Sequence, residues 1–214
     1  QAGNFQNQIF QMIEGEKLGS FWGYTFAGVW QEDDVNAPFV DANGQTNGKT
    51  NGEVYKVKPG NSKYVDVNKD GVYNDADQGI IGCGQPTFNW GWNNTFNYKN
   101  FDFSFFVVGF HGFDIYNATH QMGYNLIKSQ QMAGVTPMRE LLNRWTPTNT
   151  NTDIPGFVKG GTENKDFFST RFVENGSFIK MKSITLGYTL PEATCRSLGI
   201  NNLRVYASVQ NPFH

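Results

Sequence analysis

Aromatic and polar residues alternate along residues 88–98, which read FNWGWNNTFNY. The even positions carry Phe88, Trp90, Trp92, Asn94, Phe96 and Tyr98, and the odd positions carry Asn89, Gly91, Asn93, Thr95 and Asn97. After Lys99-Asn100 the pattern resumes, with Phe101, Phe103, Phe105 and Val107 on one face. A period of two places successive side chains on opposite faces of a strand. The pattern therefore predicts an antiparallel hairpin with one aromatic face and one small or polar face, which Phe106, Val108 and Phe110 interrupt late in the second strand.

Three further segments alternate in the same way, namely residues 19–31, 177–190 and 203–210. Within 177–190, Lys180 and Lys182 fall in the register of the apolar face, so we expect that face to lose its apolar character there. Two short helical segments are also predicted. Thr136 and Pro137 suit the N-cap and first position of a helix over 136–145, and EATCRSLG (192–199) is expected to contain a helical turn.

The connections between the predicted strands alternate in length. Lys99-Asn100 and residues 191–202 are short, whereas 32–87 and 114–175 are long and rich in Asn, Gly, Thr and Asp. A soluble sandwich would pack the apolar face inward. An outer-membrane barrel would turn that face to lipid and line a wet lumen with the polar face, using strands of about 9 to 11 residues. The strand lengths favour the second architecture, an all-β fold of antiparallel transmembrane strands.

The composition excludes several classes of function. The chain has 214 residues, of which 17% are charged, and its net charge is −2, so it lacks the basic surface that nucleic acid requires. No apolar run approaches the roughly 18 residues of a membrane-spanning helix. His111, His120 and His214 lack metal-ligand spacing, and no G-x-S-x-G motif occurs. We therefore do not expect an enzyme.

Residues 66–77, DVNKDGVYNDAD, have the ligand spacing of a calcium loop. The expected metal ligands are Asp66, Asn68, Asp70, the Val72 carbonyl, Asn74 and Asp77, with Gly71 at the sharp turn. Calcium sensors have helices on both sides of such a loop, whereas glycines and a proline follow this one within ten residues. The sequence thus predicts a structural Ca²⁺ site. The other interpretation is a surface turn whose Asp and Asn side chains cap their own backbone.

A ligand inside a barrel would contact the polar strand faces or the long loops. The candidate residues for this contact are Asn89, Asn93, Asn97, Asp102 and His111. The aromatic residues at regular strand positions are expected to face lipid instead of stacking on a sugar.

Five stretches share their wording, order and spacing with one protein family. They are GSFWGYTFAGVWQ, the segment from KYVDVNKDGVYNDADQG through PTFNWGWNNTFNYKNFDFSFF to DIYN, NRWTPTNTNTDIPG, FVENGSFIKMKSITLGYTLP and LRVYASVQNPF. Together they resemble the carboxy-terminal part of SusC/RagA-type TonB-dependent outer-membrane transporters, over roughly residues 15–213.

This resemblance implies an architecture and a role. Such transporters are 22-stranded barrels with an amino-terminal plug. They pair with a SusD-like surface lipoprotein and import glycans or peptides with energy from TonB. Residues 1–214 would then be a barrel segment that contacts outer-membrane lipid and lacks the plug and the final strands. The long loops would be extracellular and the short turns periplasmic.

A second function fits the same patterns without the resemblance. The chain could be a secreted calcium-binding β-sandwich module that recognises carbohydrate, since a sandwich also needs alternating strands. Dependence on detergent distinguishes the two, because a sandwich module is soluble without it.

Overall fold

The computed structural model describes Ile9 and residues 14–124, 138–156 and 167–213. These residues form mostly antiparallel β-structure with short helices. They fall into two compact units, one drawn from residues 1–84 and 115–174 and the other from 85–114 and 175–214. None of the described helices has both the length and the apolar character needed to cross a membrane.

The elements are short in the first unit and long in the second. In chain order they are β1 Ser20–Tyr24, β2 Phe26–Val29, α1 Glu32–Asn36, β3 Pro38–Val40, β4 Thr46–Thr50, α2 Asn51–Tyr55, β5 Ser62–Tyr64, β6 Gln78–Cys83, β7 Phe88–Tyr98, β8 Phe101–His111, β9 Asp114–Tyr116, α3 Ala118–Tyr124, β10 Val173–Asn175, β11 Phe178–Thr189, α4 Glu192–Ser197 and β12 Arg204–Phe213. Short 3-10 helices lie at Asp75–Asp77, Arg139–Asn143 and Thr170–Phe172.

The predicted hairpin is confirmed. Strands β7 and β8 pair without interruption, from Phe88 opposite His111 to Tyr98 opposite Phe101. Lys99 adopts a left-handed backbone conformation (φ 53°) in the connection. Tight two-residue hairpin turns require such positive φ values because they match the twist of the flanking strands.

Four strands form one sheet in the order β12-β11-β8-β7. The register places similar residues side by side, with Trp92 opposite Val107, and Leu186 between Phe103 and Ala207. One apolar face therefore extends across all four strands. The opposite face carries Asn89, Asn93, Thr95, Asn97, Asp102, Ser104, Thr185, Ser208 and Gln210, and toward the end of β8 it also carries Phe106, Val108 and Phe110.

A bulge at Lys182 changes the alternation of side chains along β11. Ser183 and Met181 pair with consecutive residues of β8, so Lys182 is an additional residue between them. One additional residue reverses the alternation. Met181, opposite Val107, consequently rejoins the apolar face, and Lys180 moves off it. We expected the apolar face to lose its apolar character at Lys180 and Lys182. This is wrong for Lys180, because strict alternation does not allow for the inserted residue, Lys182.

The single strand expected over residues 19–31 is divided in the structure. Strand β1 pairs with β6, and β2 pairs with β5. Thr25 lies between β1 and β2, and its carbonyl accepts a hydrogen bond from Val65 N at 2.9 Å. The backbone changes its pairing strand at Thr25, from β6 to β5. The single alternating segment 19–31 therefore forms strands in two separate pairs.

A small apolar core packs around α2, the helix that precedes the 66–77 loop. Trp30, Val35 and Val57 are buried together, and Tyr55 packs against them with its ring centroid 5.4 Å from that of Trp30. Tyr55 ends α2, whose N-terminus is fixed by a capping box between Thr50 and Glu53. The core thereby fixes the position of the Tyr55 side chain, which reaches the 66–77 loop.

The two predicted helical segments have different outcomes. The turn expected within residues 192–199 is confirmed as α4. In 136–145, the structure has a 3-10 helix at Arg139–Asn143 in place of an α-helix. Thr136 and Pro137, the predicted start of that helix, lie outside the described residues.

Candidate functional site

The 66–77 loop makes its sharp turn at Gly71. Gly71 has φ 82°, and Lys69 has φ 56°, so two residues close together adopt left-handed conformations. A Cβ atom at position 71 would overlap Val54 Cγ1. Glycine is therefore required here both by the backbone conformation and by the closeness of α2.

Asp66, the first expected ligand, has one engaged and one unengaged oxygen. Its Oδ2 accepts hydrogen bonds from Gly71 N and from the Tyr55 hydroxyl, both at 2.8 Å. Its Oδ1 is buried and has no hydrogen-bond partner. A buried carboxylate oxygen without a partner is costly, and a bound cation would remove that cost.

Asp77, the last expected ligand, closes the loop. It is 3% exposed. Its Oδ1 accepts from Val67 N at 2.9 Å and its Oδ2 from Asn74 N at 3.0 Å. Both oxygens therefore bind backbone amides at the two ends of the loop, which supports the interpretation of a self-capped turn at this residue.

The remaining side chains of the loop also bind its backbone. Asn68 Oδ1 accepts from Asp70 N at 3.1 Å, and Asp70 Oδ1 accepts from Val72 N at 2.8 Å. Asn74 Nδ2 donates to Asp70 Oδ2 and to the Val72 carbonyl, both at 3.2 Å. Across the described part of the chain, no three His, Cys, Asp or Glu side chains are grouped as a metal would require. The sharp turn and Asp66 Oδ1 fit a cation, whereas Asp77 is already satisfied.

Two tyrosines form a wall beside Asp66. They are Tyr55 and Tyr73, whose rings are stacked with their centroids 5.2 Å apart. Burial, with the hydrogen bond to Asp66 as the next cause, raises the pKa of Tyr55 well above its ordinary value. Burial likewise raises the pKa of Tyr73 to about 12. The Tyr55 phenol therefore stays protonated at neutral pH and donates its hydrogen bond to the carboxylate.

The structure separates the five candidate ligand-contact residues on the second unit. Asn89, Asn93, Asn97 and Asp102 share the polar face of the sheet. His111 lies on the other face, where its ring stacks on Phe88 at a centroid distance of 4.9 Å. His111 and Asp102 are nine positions apart on the same strand. Residues an odd number of positions apart point to opposite faces of a strand, so the sequence already indicates that His111 lies on the other face.

Two residues that matter to these sites were absent from the sequence-based candidates. Arg204 binds Asp102 on the polar face, with Nη2 2.6 Å from Oδ2. Tyr55 binds Asp66 from eleven positions earlier in the chain. The alternation of 203–210 places Arg204 on the polar side of its strand, but its partner depends on which strands pair.

Comparison with known proteins gives relatives along nearly the whole chain. The TonB-dependent receptor P3 of Formosa agariphila is 33% identical over 210 residues, which are 98% of this chain and 19% of that protein. The TonB-dependent receptor SusC of Bacteroides thetaiotaomicron is 30% identical over 158 residues, which are 73% of this chain and 14% of SusC. The chain thus spans about a fifth or less of the curated relatives it matches. No family model matches the chain.

The fold is similar to that of a solved transporter. The RagAB peptide importer in its open-open state superimposes with a TM-score of 0.63 and 18% sequence identity. The match covers 99% of this chain and 21% of the solved chain. This likeness concerns the fold.

Proposed function

The chain is of the SusC/RagA type of TonB-dependent receptor, and we propose that it forms part of a protein that imports nutrients across the bacterial outer membrane. In this proposal the four-stranded sheet is one section of a transmembrane barrel. Its apolar face contacts lipid and its polar face lines the lumen.

The contrast between the two faces of the sheet supports this proposal. On the apolar face, Trp92 is 57% exposed, Phe96 56% and Val205 59%. On the opposite face, Thr185 and Ser208 join their hydroxyls at 2.9 Å. A continuous apolar surface of this kind is unfavourable in water and favourable against hydrocarbon. Small polar side chains suit a water-filled lumen.

The partners and the substrate class belong to the same proposal. We propose that the complete receptor acts with a SusD-like surface lipoprotein and receives energy from TonB. Its substrate would be an oligosaccharide or a peptide. The solved complex with a similar fold is described as a peptide importer, which supports the peptide class, and the oligosaccharide class rests on the resemblance to SusC/RagA-type transporters.

The test uses the full-length receptor that contains this chain. The receptor gene is deleted and restored in its host, and growth is measured on oligosaccharides and on peptides as nutrient sources. We expect growth on one of these classes to require both the receptor and TonB. The purified receptor should require detergent and should migrate differently on gels before and after heating. Free solubility as a monomer without detergent would contradict the proposal.

That contrary result would favour the secreted carbohydrate-binding sandwich. A sandwich needs a second sheet over the apolar face. Among residues 85–114 and 175–213, the four long strands form a single layer. This arrangement supports the barrel in preference to the sandwich.

We also propose that the 66–77 loop binds one Ca²⁺, which would stiffen an extracellular loop of the receptor. The ligands would be Asp66, Asn68, Asp70, the Val72 carbonyl, Asn74 and Asp77. The buried Asp66 Oδ1 without a partner is the observation that supports this site. Asp77 would exchange its bonds to Val67 N and Asn74 N for the metal.

Calorimetric titration of the full-length receptor with Ca²⁺ tests the site. We expect one bound ion per receptor in this loop, and loss of that binding in Asp70→Ala, because the exposed Asp70 carboxylate is one of the proposed ligands. Asp75→Ala, a neighbouring exposed aspartate outside the ligand set, is the control. Equal binding by the two variants, or no binding at all, would leave the loop as a self-capped turn.

A further inference from the structure

A cavity of about 350 Å³ lies between α2 and the 66–77 loop. Ligand pockets in proteins commonly have about 300 to 1,000 Å³. Its lining includes Tyr55, Tyr64, Tyr73, Phe167, Val72 and Lys56. Tyr64 is 4% exposed and Val72 is 57% exposed, so the cavity runs from a buried aromatic floor to a mouth at the protein surface.

The tyrosine hydroxyls that line this cavity are bound to other protein groups. The Tyr55 hydroxyl donates to Asp66 Oδ2 at 2.8 Å. The Tyr73 hydroxyl accepts from Tyr64 N at 3.3 Å, and the Tyr64 hydroxyl accepts from Phe167 N at 3.0 Å. These bonds engage the Tyr55 hydroxyl as a donor and the Tyr64 and Tyr73 hydroxyls as acceptors, while the carbon surfaces of the rings form the aromatic walls of the cavity.

Beyond the tyrosines, Ser62 and Lys56 are the hydrogen-bonding side chains of the described lining. The described residues around the cavity include no Asp, Glu, Asn, Gln, His or Arg. A sugar ring carries hydroxyl groups around its edge, and each one that is buried without a hydrogen bond is costly. An apolar side chain has no such requirement. The aromatic walls suit an apolar side chain, whereas the few polar side chains of the lining match only some of the hydroxyl groups of a sugar ring.

Lys56 is the charged member of this lining. It follows α2 directly, in a left-handed conformation (φ 53°), and its side chain is exposed. A lysine ammonium group attracts an anion as a point charge. A ligand with a carboxylate beside its apolar group would place the two parts against Lys56 and the aromatic walls.

We propose that this cavity binds an apolar peptide side chain that has a carboxylate next to it, as at the C-terminal residue of a peptide. The inference rests on the proposed import function and narrows its substrate class to peptides. The cavity would hold the side chain among Tyr64, Tyr73 and Phe167, while Lys56 attracts the carboxylate.

Binding of small probes to the full-length receptor in detergent tests the cavity. The first probe is N-acetyl-L-phenylalanine, and the second is its neutral amide, N-acetyl-L-phenylalaninamide. Saturation-transfer NMR with competition measures both. We expect the acid to bind about threefold more tightly than the amide, as one exposed ion pair allows. Maltotriose should displace neither, and displacement by maltotriose would overturn the proposal in favour of a sugar site.

Two matched pairs of variants locate the binding. Val72→Trp fills the mouth of the cavity, whereas Val67→Trp adds the same bulk at a residue of the same loop that is 65% exposed and outside the lining. We expect Val72→Trp to weaken binding of the acid at least tenfold and Val67→Trp to leave it unchanged. Lys56→Gln should remove the preference for the acid over the amide, and Lys58→Gln should preserve it. The proposal would be overturned if Val72→Trp and Val67→Trp bound the acid equally well. It would also be overturned if Lys56→Gln and Lys58→Gln showed the same preference for the acid over the amide.

The failure of this inference is distinguishable from failure of the import function. If nutrient uptake and heat-dependent migration are normal while neither probe binds, the cavity proposal is wrong and the import function stands. If the receptor behaves as a soluble protein, the import function is wrong, and the Val72→Trp comparison still decides whether the cavity binds the probe.

Discussion

Asp102 on β8 and Arg204 on β12 form an ion pair across β11, the strand that separates them. The guanidinium is bidentate, with Nη2 2.6 Å from Oδ2 and Nε 3.1 Å from Oδ1. Gly187 of β11 lies beneath the pair. A Cβ atom there would meet Asp102 Oδ2 at 2.6 Å and Arg204 Nη2 at 2.7 Å. The missing side chain is therefore what allows the two charges to meet, and the pair joins three strands.

We expect Gly187→Ala to lower the free energy of unfolding slightly, because the new methyl group separates the two charges of a partly exposed ion pair. Urea titration of the full-length receptor in detergent measures it. In an Asp102→Ala background, the same substitution should cost less, since the pair is already absent. Gly79→Ala, whose Cβ would meet nothing within 4 Å, is the control. Equal costs in both backgrounds would contradict the role of Gly187.

The hairpin could be predicted from sequence because its alternation is local and nearly complete over residues 88–98 and 101–105, with Asn94 as the exception. The bulge at Lys182 could not, because one inserted residue reverses the parity without leaving a mark in the pattern itself. The division of 19–31 at Thr25 likewise depends on which partner strands are available.

The same distinction holds for the candidate sites. The spacing of residues 66–77 and the need for Gly71 are visible in the sequence, since both are properties of one short segment. The hydrogen bond from Tyr55 to Asp66 and the ion pair of Arg204 with Asp102 join separate segments. Their geometry is set by tertiary packing, which periodicity does not encode.

The turn of the 66–77 loop should tolerate no side chain at its sixth position. Gly71→Ala introduces both strain at φ 82° and overlap with Val54 Cγ1. Overpacking of this kind typically costs about 1 to 3 kcal/mol. Gly48→Ala is a matched control, because Gly48 has φ 76° and open space around its Cβ position. The cost of Gly48→Ala in free energy of unfolding therefore comes from backbone strain alone, without a steric overlap.

Limited proteolysis of the intact receptor measures the opening of this loop. We expect cleavage within residues 66–77 to be faster in Gly71→Ala than in Gly48→Ala. If the two variants are cleaved there at the same rate, the contact with Val54 does not limit the loop.

The buried tyrosines should make stability depend on alkaline pH. An unfolded tyrosine loses its proton near pH 10, whereas folding raises the pKa of Tyr73 to about 12 and also raises that of Tyr55. Their contribution to stability is complete below about pH 10 and decreases as the pH rises through 12, because the unfolded chain ionises first. The free energy of unfolding should fall over this interval. Tyr73→Phe should make that fall less steep, and an unchanged slope would refute the assignment.

The two faces of the sheet should respond oppositely to a charge. Trp92 on the apolar face is 57% exposed, and Asn93, the next residue along β7, is on the polar face. Arginine at a lipid-facing position of a barrel costs about 2 to 4 kcal/mol near the middle of the membrane, whereas a lumen-facing position accepts it. We therefore expect Trp92→Arg to reduce the amount of folded receptor and Asn93→Arg to preserve it.

Heat-dependent gel migration of outer membranes measures this difference, with Trp92→Leu as a control for the loss of the aromatic ring. Trp92→Leu should fold, since leucine is as compatible with hydrocarbon as tryptophan is. The comparison separates the charge from the missing ring. If Trp92→Arg folds as well as Asn93→Arg does, the apolar face does not meet lipid. Its exposed aromatic residues must then be covered by protein, as in the sandwich.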